Sequence, residues 1–424
     1  MRVFMYFGDI KRELVALNPL SGNPGVGGTH WLFLLLSYLL PRSSTKYDVT
    51  VMSESPLTLD PRVRVLRIDE APAVVAQREG ADVLLMRSDA SEETRRSIEQ
   101  SRLKVILWSH NYVLEDFARW IVRTSQVVAN VFVGRQMYDR YVDDDLITKS
   151  VCIPNMLPVQ DVCANRVNDS ATVVFMGALV PVKGFHALAK IWKGILREVP
   201  DAKLKVIGSA NLYRSGTKLG SLGVASEAYE KVFRRHICDD RGELLSSVEF
   251  LGALGEEKRD VFLRASVGVI NPTARTECLP MSVLEMNDAG LPVVTLNDMG
   301  FPDVVRDGET GILRSSMRGI KQGIVELLKD SRKNGELGRS AMAFAKEFSP
   351  ERTMPLWTAL FDDVANGRFC ADYQPPTGHY RNMHKWVRIA NRFVRFRLGL
   401  KFFPSILAYE SVVRVAMRRL GLRR

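Results

Sequence analysis

The 424 residues predict two successive α/β series, each a parallel doubly wound sheet with helices on its faces, and then a basic helical extension. Three observations carry this. Short apolar runs of strand length alternate with helical stretches through the first 150 residues. The alternation stops at a polar Asn- and Pro-containing linker (155–171) and resumes at 172. Finally, the net charge of +11 is confined to the end of the chain: residues 377–424 carry 12 Lys and Arg against one acid, Glu410, while the other 376 residues carry 47 of each sign.

The elements follow in order. Residues 2–7 form a first strand that begins almost at the initiator and leaves no room for a targeting peptide. A glycine-rich loop (22–30) opens into the apolar run 31–40, too short to span a bilayer and read as a buried helix. Strands are expected at 49–51, 63–68, 83–86, 105–108 and 127–133. In the second series they are expected at 172–176, 203–207, 248–251, 265–270 and 291–295, with a helix over 185–199 and a Gly/Ser-rich loop over 211–223. Residues 316–366 are helical, with a kink or break expected at Pro355. No uncharged apolar run reaches eighteen residues, which predicts no membrane span. Five scattered cysteines lack metal-ligand spacing and suit a reducing cytoplasm better than a disulfide framework.

The most informative stretch is 271–285. Glu277 lies in a loop between a strand and a helix, and Glu285 lies inside that helix, eight positions on. Ligands of open α/β sheets bind beyond the carboxyl ends of the strands. There the backbone N–H groups of Leu279, Pro280's neighbour Met281 and Ser282, at the helix start, could hold a phosphate. One acid before the helix and one two turns in could reach two hydroxyl-bearing ends of a long ligand such as a nucleotide-sugar. The plain alternative is two solvated acids favoured by the helix dipole. A second loop, 175–185, runs from a strand through Gly177 to Lys183 and Gly184. A cation there would offset the charge of a departing diphosphate; otherwise Lys183 is a solvated charge. The loop around Gly27 and Gly28 lacks the dinucleotide G-x-G-x-x-G spacing and a ribose-binding acid, which argues against a dehydrogenase. No Asp-x-Asp motif in a plausible loop, serine nucleophile elbow or metal triad stands out, so no metal and no cofactor is expected.

Taken together and in this order, these motifs resemble those of family-4 glycosyltransferases, over roughly residues 1–365. The resemblance implies retaining enzymes of the GT-B arrangement: two Rossmann-like doubly wound domains facing across a cleft, of the kind found in bacterial surface-polysaccharide synthesis. It implies that Glu285 binds the nucleotide ribose, that Glu277 lies beside the transferred sugar, and that the Gly27–Gly28 loop approaches donor phosphates and acceptor. His110, after the strand 105–109, matches the family histidine that contacts the sugar; a structural histidine is the alternative. Proline and asparagine at 154–155 resemble the turn that ends the family's first domain. The family usually carries Arg where this chain has Ala178, which leaves Lys183 alone on the diphosphate. The expected domains are 1–165 for the acceptor, 166–345 for the donor, 346–370 as crossover helices and 371–424 as a basic tail.

In that tail Arg381, Lys385, Arg388, Arg392 and Arg395 recur every three or four residues, one position behind Trp386, Ile389, Phe393, Phe396, Leu400 and Phe403. On a helix that ends at Pro404, this makes a basic stripe beside an apolar one. Such a helix suits an anionic membrane surface, rings inward and guanidinium groups on phosphates. Packing of the apolar stripe on the protein, or pairing with another subunit, are the alternatives; no nucleic-acid-binding signature is found. The sequence therefore predicts a cytoplasmic enzyme, peripheral at the inner face of the membrane through residues 381–424. It would move a sugar from a nucleotide-sugar to a glycan or lipid-linked acceptor. A sugar phosphorylase, or an inactive scaffold favoured by Ala178, are the rivals.

Overall fold

The computed structural model describes residues 1–10, 13–88, 91–160, 171–210, 218–376 and 384–420. Arg381, Cys163 and parts of the predicted linker (161–170) and loop (211–217) lie outside the described residues. The chain divides into two compact units, one of Met1–Pro19, Leu32–Asn155 and Thr353–Arg424, the other of Leu20–Trp31 and Met156–Arg352.

The strands of the first unit are β1 (Arg2–Tyr6), β2 (Leu14–Ala16), β3 (Asp48–Ser53), β4 (Leu57–Leu59), β5 (Val63–Arg67), β6 (Val83–Arg87), β7 (Lys104–Ser109), β8 (Val127–Phe132) and β9 (Ser150–Cys152). Seven of them form a parallel sheet in the order β5-β3-β1-β6-β7-β8-β9. β2 and β4 pair separately, and their three-residue length gave no periodic signal. β6 and β7 are almost wholly buried, which is why their sequences are continuous apolar runs without alternation. The helices of this unit begin with α1 (Gly28–Ser43), which starts in residues grouped with the other unit and buries Leu32 to Leu36. α2 (Pro72–Arg78), α3 (Glu92–Gln100), α4 (Glu115–Arg123) and α5 (Arg135–Asp139) follow. Trp108 on β7 packs edge-on against Trp357, ring centroids 4.6 Å apart.

The second unit holds β10 (Thr172–Met176), β11 (Lys203–Ile207), β12 (Val248–Gly252), β13 (Val267–Val269), β14 (Val293–Leu296) and β15 (Gly311–Arg314). They form a parallel sheet in the order β12-β11-β10-β13-β14-β15. Its helices are α6 (Phe185–Leu196), α7 (Glu227–Ile237), α8 (Lys258–Leu263), α9 (Met281–Asp288), α10 (Met317–Lys329) and α11 (Ser331–Ala345). Phe175, Phe185, Trp192 and Phe233 centre the core between the sheet and α6 and α7. Ser316 and Asp330 cap α10 and α11 with side-chain oxygens. Two α/β units with parallel Rossmann-like sheets and a helical C-terminal segment are thus present.

That segment departs from the prediction in two ways. α12 (Pro350–Ala365) runs as one helix through Pro355, so the expected break is not found. Further on, α13 (Lys385–Arg392) passes into a π-helical turn, Phe393–Arg397, before α14 (Ile406–Arg419). Here the basic stripe faces the protein, contrary to the expected lipid contact. Arg388 is fully buried between Asp143, 3.4 Å away, and Glu410 of α14. Arg395 reaches Asp145 at 3.1 Å and the Asp143 carbonyl, and Arg392 donates to the Val142 carbonyl at 2.8 Å. Asp143 also accepts from Asn391 at 2.9 Å and from the Ile406 amide at 2.6 Å, and Arg140 holds Glu410 at 2.8 Å. The run Asp143-Asp144-Asp145 accounts for the inversion: a buried guanidinium requires a carboxylate partner, and Asp143 with Glu410 serves Arg388 while Asp145 serves Arg395.

Candidate active site

In the second unit, strands step one way from β10 to β12 and the other way from β13 to β15, so the winding reverses between β10 and β13. The crevice beyond the carboxyl ends of two such strands is where open α/β sheets hold ligands. The loops leaving these two strands carry Lys183 and Glu277, and they meet: Lys183 Nζ lies 2.7 Å from Glu277 Oε1.

Local sequence explains how each side chain arrives there. After β10 the Gly177 amide donates to the Ile207 carbonyl at 3.0 Å, and a single 3₁₀ turn, Pro181–Lys183, lifts Lys183 off the sheet. Gly184 ends this turn at φ +72° and starts α6. A Cβ at Gly184 would stand 2.9 Å from Thr273 Cγ2 and 3.1 Å from Asn271 Oδ1, so only glycine allows both the backbone angle and the approach of the second loop. That loop is strained: Asn271, Ala274 and Thr276 all have positive φ, at 32°, 55° and 64°. Such conformations persist where surrounding contacts over-determine them, and they cluster at functional sites. Asn271 Nδ2 donates to Glu277 Oε1 at 2.8 Å and to the Arg275 carbonyl at 2.9 Å, and Asn271 Oδ1 accepts from Thr273 at 2.8 Å. Glu277 is left 7% exposed, with two donors on one oxygen.

The helix α9 begins at Met281 behind Pro280, its N-cap, which has no side-chain acceptor for the first-turn amides. Leu279 and Met281 are buried. Glu285 sits one turn into α9 and pairs with Lys258, the first residue of α8, at 2.8 Å; each side chain is 11% exposed. The glycine loop also belongs here. Asn23 Oδ1 accepts from the amides of Gly25 and Val26, each at 3.0 Å, and shapes the turn. Gly27's carbonyl accepts from Trp31 at 3.1 Å, and a Cβ on Gly28 would touch Met281 Cγ at 3.8 Å.

The structure therefore brings Lys183 together with Glu277, and Gly28 together with Met281 beside Ser282, all within the second unit. His110 belongs to the first unit, at the carboxyl end of β7, with its ring 4.7 Å from Trp108 and 6.2 Å from Phe33. Ala178 is buried, 1% exposed. His186 is engaged with Tyr229, Nδ1 to hydroxyl at 3.0 Å. Burial, helped by Lys190 and Arg275, holds the His186 imidazole below its ordinary range, and burial pushes the Tyr229 phenol up to about 12.

Sequence reasoning missed Lys258, Asn271 and Asn23. Lys258 had a signal: like Lys183, it follows a glycine-bearing turn after a strand and opens a helix. Asn271 had one too, standing directly after a buried strand and before a proline, which favours a turn rather than continued pairing.

Residues 163–343 match the family described as Glycosyl transferases group 1. A Haemophilus influenzae protein named as an uncharacterized glycosyltransferase is 21% identical over 271 residues, which cover 61% of this chain and 69% of that protein. The Bacillus subtilis poly(glycerol-phosphate) alpha-glucosyltransferase is 24% identical over 214 residues, half of this chain but only 28% of its own length. Among solved structures, Anabaena HepE in complex with UDP and glucose superposes with a TM-score of 0.59 at 14% identity, covering 85% of this chain and 100% of that one. At such identity the likeness speaks for the fold. Residues 163–343, which hold Lys183, Glu277 and Glu285, are thus similar to Glycosyl transferases group 1, and the matches together support a glycosyltransferase of the GT-B superfamily.

Proposed function

We propose that this chain transfers a sugar from a nucleotide-sugar donor to a glycan or lipid-linked acceptor, with retention and without a metal, in cell-surface polysaccharide synthesis. The observation that carries the reading is the Lys183–Glu277 pair over the reversal between β10 and β13, one turn from the uncapped start of α9. A donor laid across this site has its diphosphate against the α9 amides, including those of Met281 and Ser282, and against Lys183. Glu277 accepts from a hydroxyl of the transferred sugar. Glu285 accepts from the ribose, beside Lys258. The acceptor hydroxyl attacks C1 on the face from which the nucleoside diphosphate departs, the C–O bond to phosphate breaks, and the leaving phosphate oxygen takes the hydroxyl proton. Lys183 offsets the charge that grows on that oxygen. His110, at the end of β7, is proposed as a contact to the transferred sugar. The relative solved with UDP and glucose supports a uridine nucleotide as the first donor to try. An acceptor on a lipid carrier would bring the enzyme to an anionic membrane surface, with residues 381–424 as the contact.

A scaffold without transferase activity is the second reading. Ala178 favours it, because it is buried where the resemblance calls for an arginine on the diphosphate. Donor hydrolysis separates the two. The enzyme reading requires turnover of a nucleotide-sugar by the wild type, persistence in a chelator, and loss in Glu277→Gln and Lys183→Ala. Thermal shift against UDP, GDP, ADP and their sugar conjugates then fixes the nucleotide: ligand at a hundred times Kd adds about 2.7 kcal/mol, and Glu285→Ala should abolish the shift. Absence of any shift or turnover would leave the scaffold.

A further inference from the structure

The C-terminal helices expose the stripe that ordinary packing would bury. On α13 and its π turn, Trp386, Ala390, Phe393 and Arg397 recur at helical spacing and are all exposed, Trp386 by 75% and Phe393 by 57%. On α14, Tyr409, Val412, Val413 and Ala416 make a second exposed stripe, Val412 by 69%. Between the helices Phe402 is 76% exposed and packs on Phe403, ring centroids 4.5 Å apart. The inner sides of both helices are spent on the protein. Lys385, Arg388 and Arg395 are buried, and Leu407 is 2% exposed. Glu410 lies between Arg388 and Arg140.

The charges decide what can cover this face. Glu410 is the only acid among residues 385–420, and it is committed inward. The outward side therefore combines aromatic and aliphatic groups with exposed cations, Arg397, Lys401 and Arg419, and no carboxylate among the described residues. A second copy docked through the same face would set cations of both copies against an interface holding no acid to offset them. An anionic bilayer offers both apolar depth for the rings and phosphates for the cations.

We propose that the outward apolar face of α13 and α14, built on Trp386, Phe393, Phe402, Phe403, Val412 and Val413, inserts into the headgroup region of an anionic lipid surface. The buried arginines bind the protein's own carboxylates instead of lipid phosphates. This rests on the membrane-surface part of the proposed function and keeps the rings in the lipid, as the sequence pattern suggests, but takes the buried arginines out of the contact: the rings make it, with Arg397 and Lys401 at their edge, and Arg388 and Arg395 hold the helices to Asp143 and Asp145.

The test is co-sedimentation of the full chain with vesicles of phosphatidylcholine alone or with phosphatidylglycerol, without nucleotide. Wild type should bind the anionic vesicles. Trp386→Ser/Phe393→Ser/Phe402→Ser should lose roughly tenfold in partitioning per ring, at unchanged melting temperature and donor hydrolysis. Arg397→Gln/Lys401→Gln should lose about fivefold per charge, since each cation near such a surface contributes about 1 kcal/mol. Val412→Ser/Val413→Ser provides an independent disruption on the other helix. Wild-type binding by the triple variant would overturn the proposal, as would a wild type that ignores both vesicles. A wild-type dimer that the triple variant dissociates would give the face to a second copy instead. Because donor hydrolysis is read on the same samples without lipid, failure here is distinguishable from failure of the transferase reading.

Discussion

Arg388→Met should destabilise the first unit by about 3 kcal/mol. The guanidinium is fully buried, 3.4 Å from Asp143 and in contact with Glu410, and Asp143 has no exposed side-chain surface. Removing one partner of a buried ion pair costs about 3–5 kcal/mol because the other charge is stranded. Here the stranded groups keep some partners. Asp143 retains Asn391 at 2.9 Å and the Ile406 amide at 2.6 Å, and Glu410 retains Arg140 at 2.8 Å, which sets the expectation at the low end. Methionine keeps most of the volume, so the cavity contribution is small. For a unit of this size that is a fall in melting temperature of about 6–12 °C, read by calorimetry, with faster proteolysis after residue 384. In a double-mutant cycle, Asp143→Asn should recover part of the loss in the Arg388→Met background. A single variant that melts within about 2 °C of wild type, with an unchanged cleavage pattern, would refute the claim that this arginine holds the C-terminal helices down.

Gly184→Ala should cost at least about 1 kcal/mol, because it combines a left-handed backbone with a 2.9 Å approach to Thr273; urea denaturation, with donor hydrolysis falling alongside, checks it. Trp357→Ala removes a ring that is fully buried against Trp108 and should cost about 3–5 kcal/mol, measured by the same titration. His186 has a lowered folded value against an ordinary 6.5, so the unfolded chain binds the proton more readily. Its contribution is complete above about 6.5 and is lost as pH falls through the lowered value, so the urea midpoint should drop on going from pH 7.5 to 5 and drop less in His186→Gln.

How much of this was legible in the sequence varied with the physics of each element. Strands β10 and β11 lie where the apolar runs put them, to the residue, because both faces are covered and every position is constrained. The sequence also anticipated that the residues bearing Lys183 and Glu277 leave carboxyl ends of strands. It did not give their direct contact, which depends on strand order, a property of the whole sheet. The sequence pattern does not mark β15, which is only four residues long, or α7, which follows the glycine-rich loop. The tail is the most instructive case. Its spacing revealed two stripes correctly, but spacing alone does not say which stripe faces inward. The missing term was the partner: three consecutive aspartates 250 residues upstream, whose charge outweighs the usual preference of rings for the interior.

Under the proposed function, the Lys183–Glu277 contact would have a consequence for turnover. A site that carries its own counter-ion presents no bare cation to the solvent, so an incoming diphosphate binds by exchanging partners rather than by filling a vacancy. Its affinity is then a difference between two ion pairs and stays modest. The same exchange runs backwards after the sugar has left: the carboxylate is waiting to reclaim the lysine, which shortens the stay of the spent nucleotide and clears the crevice for the next donor.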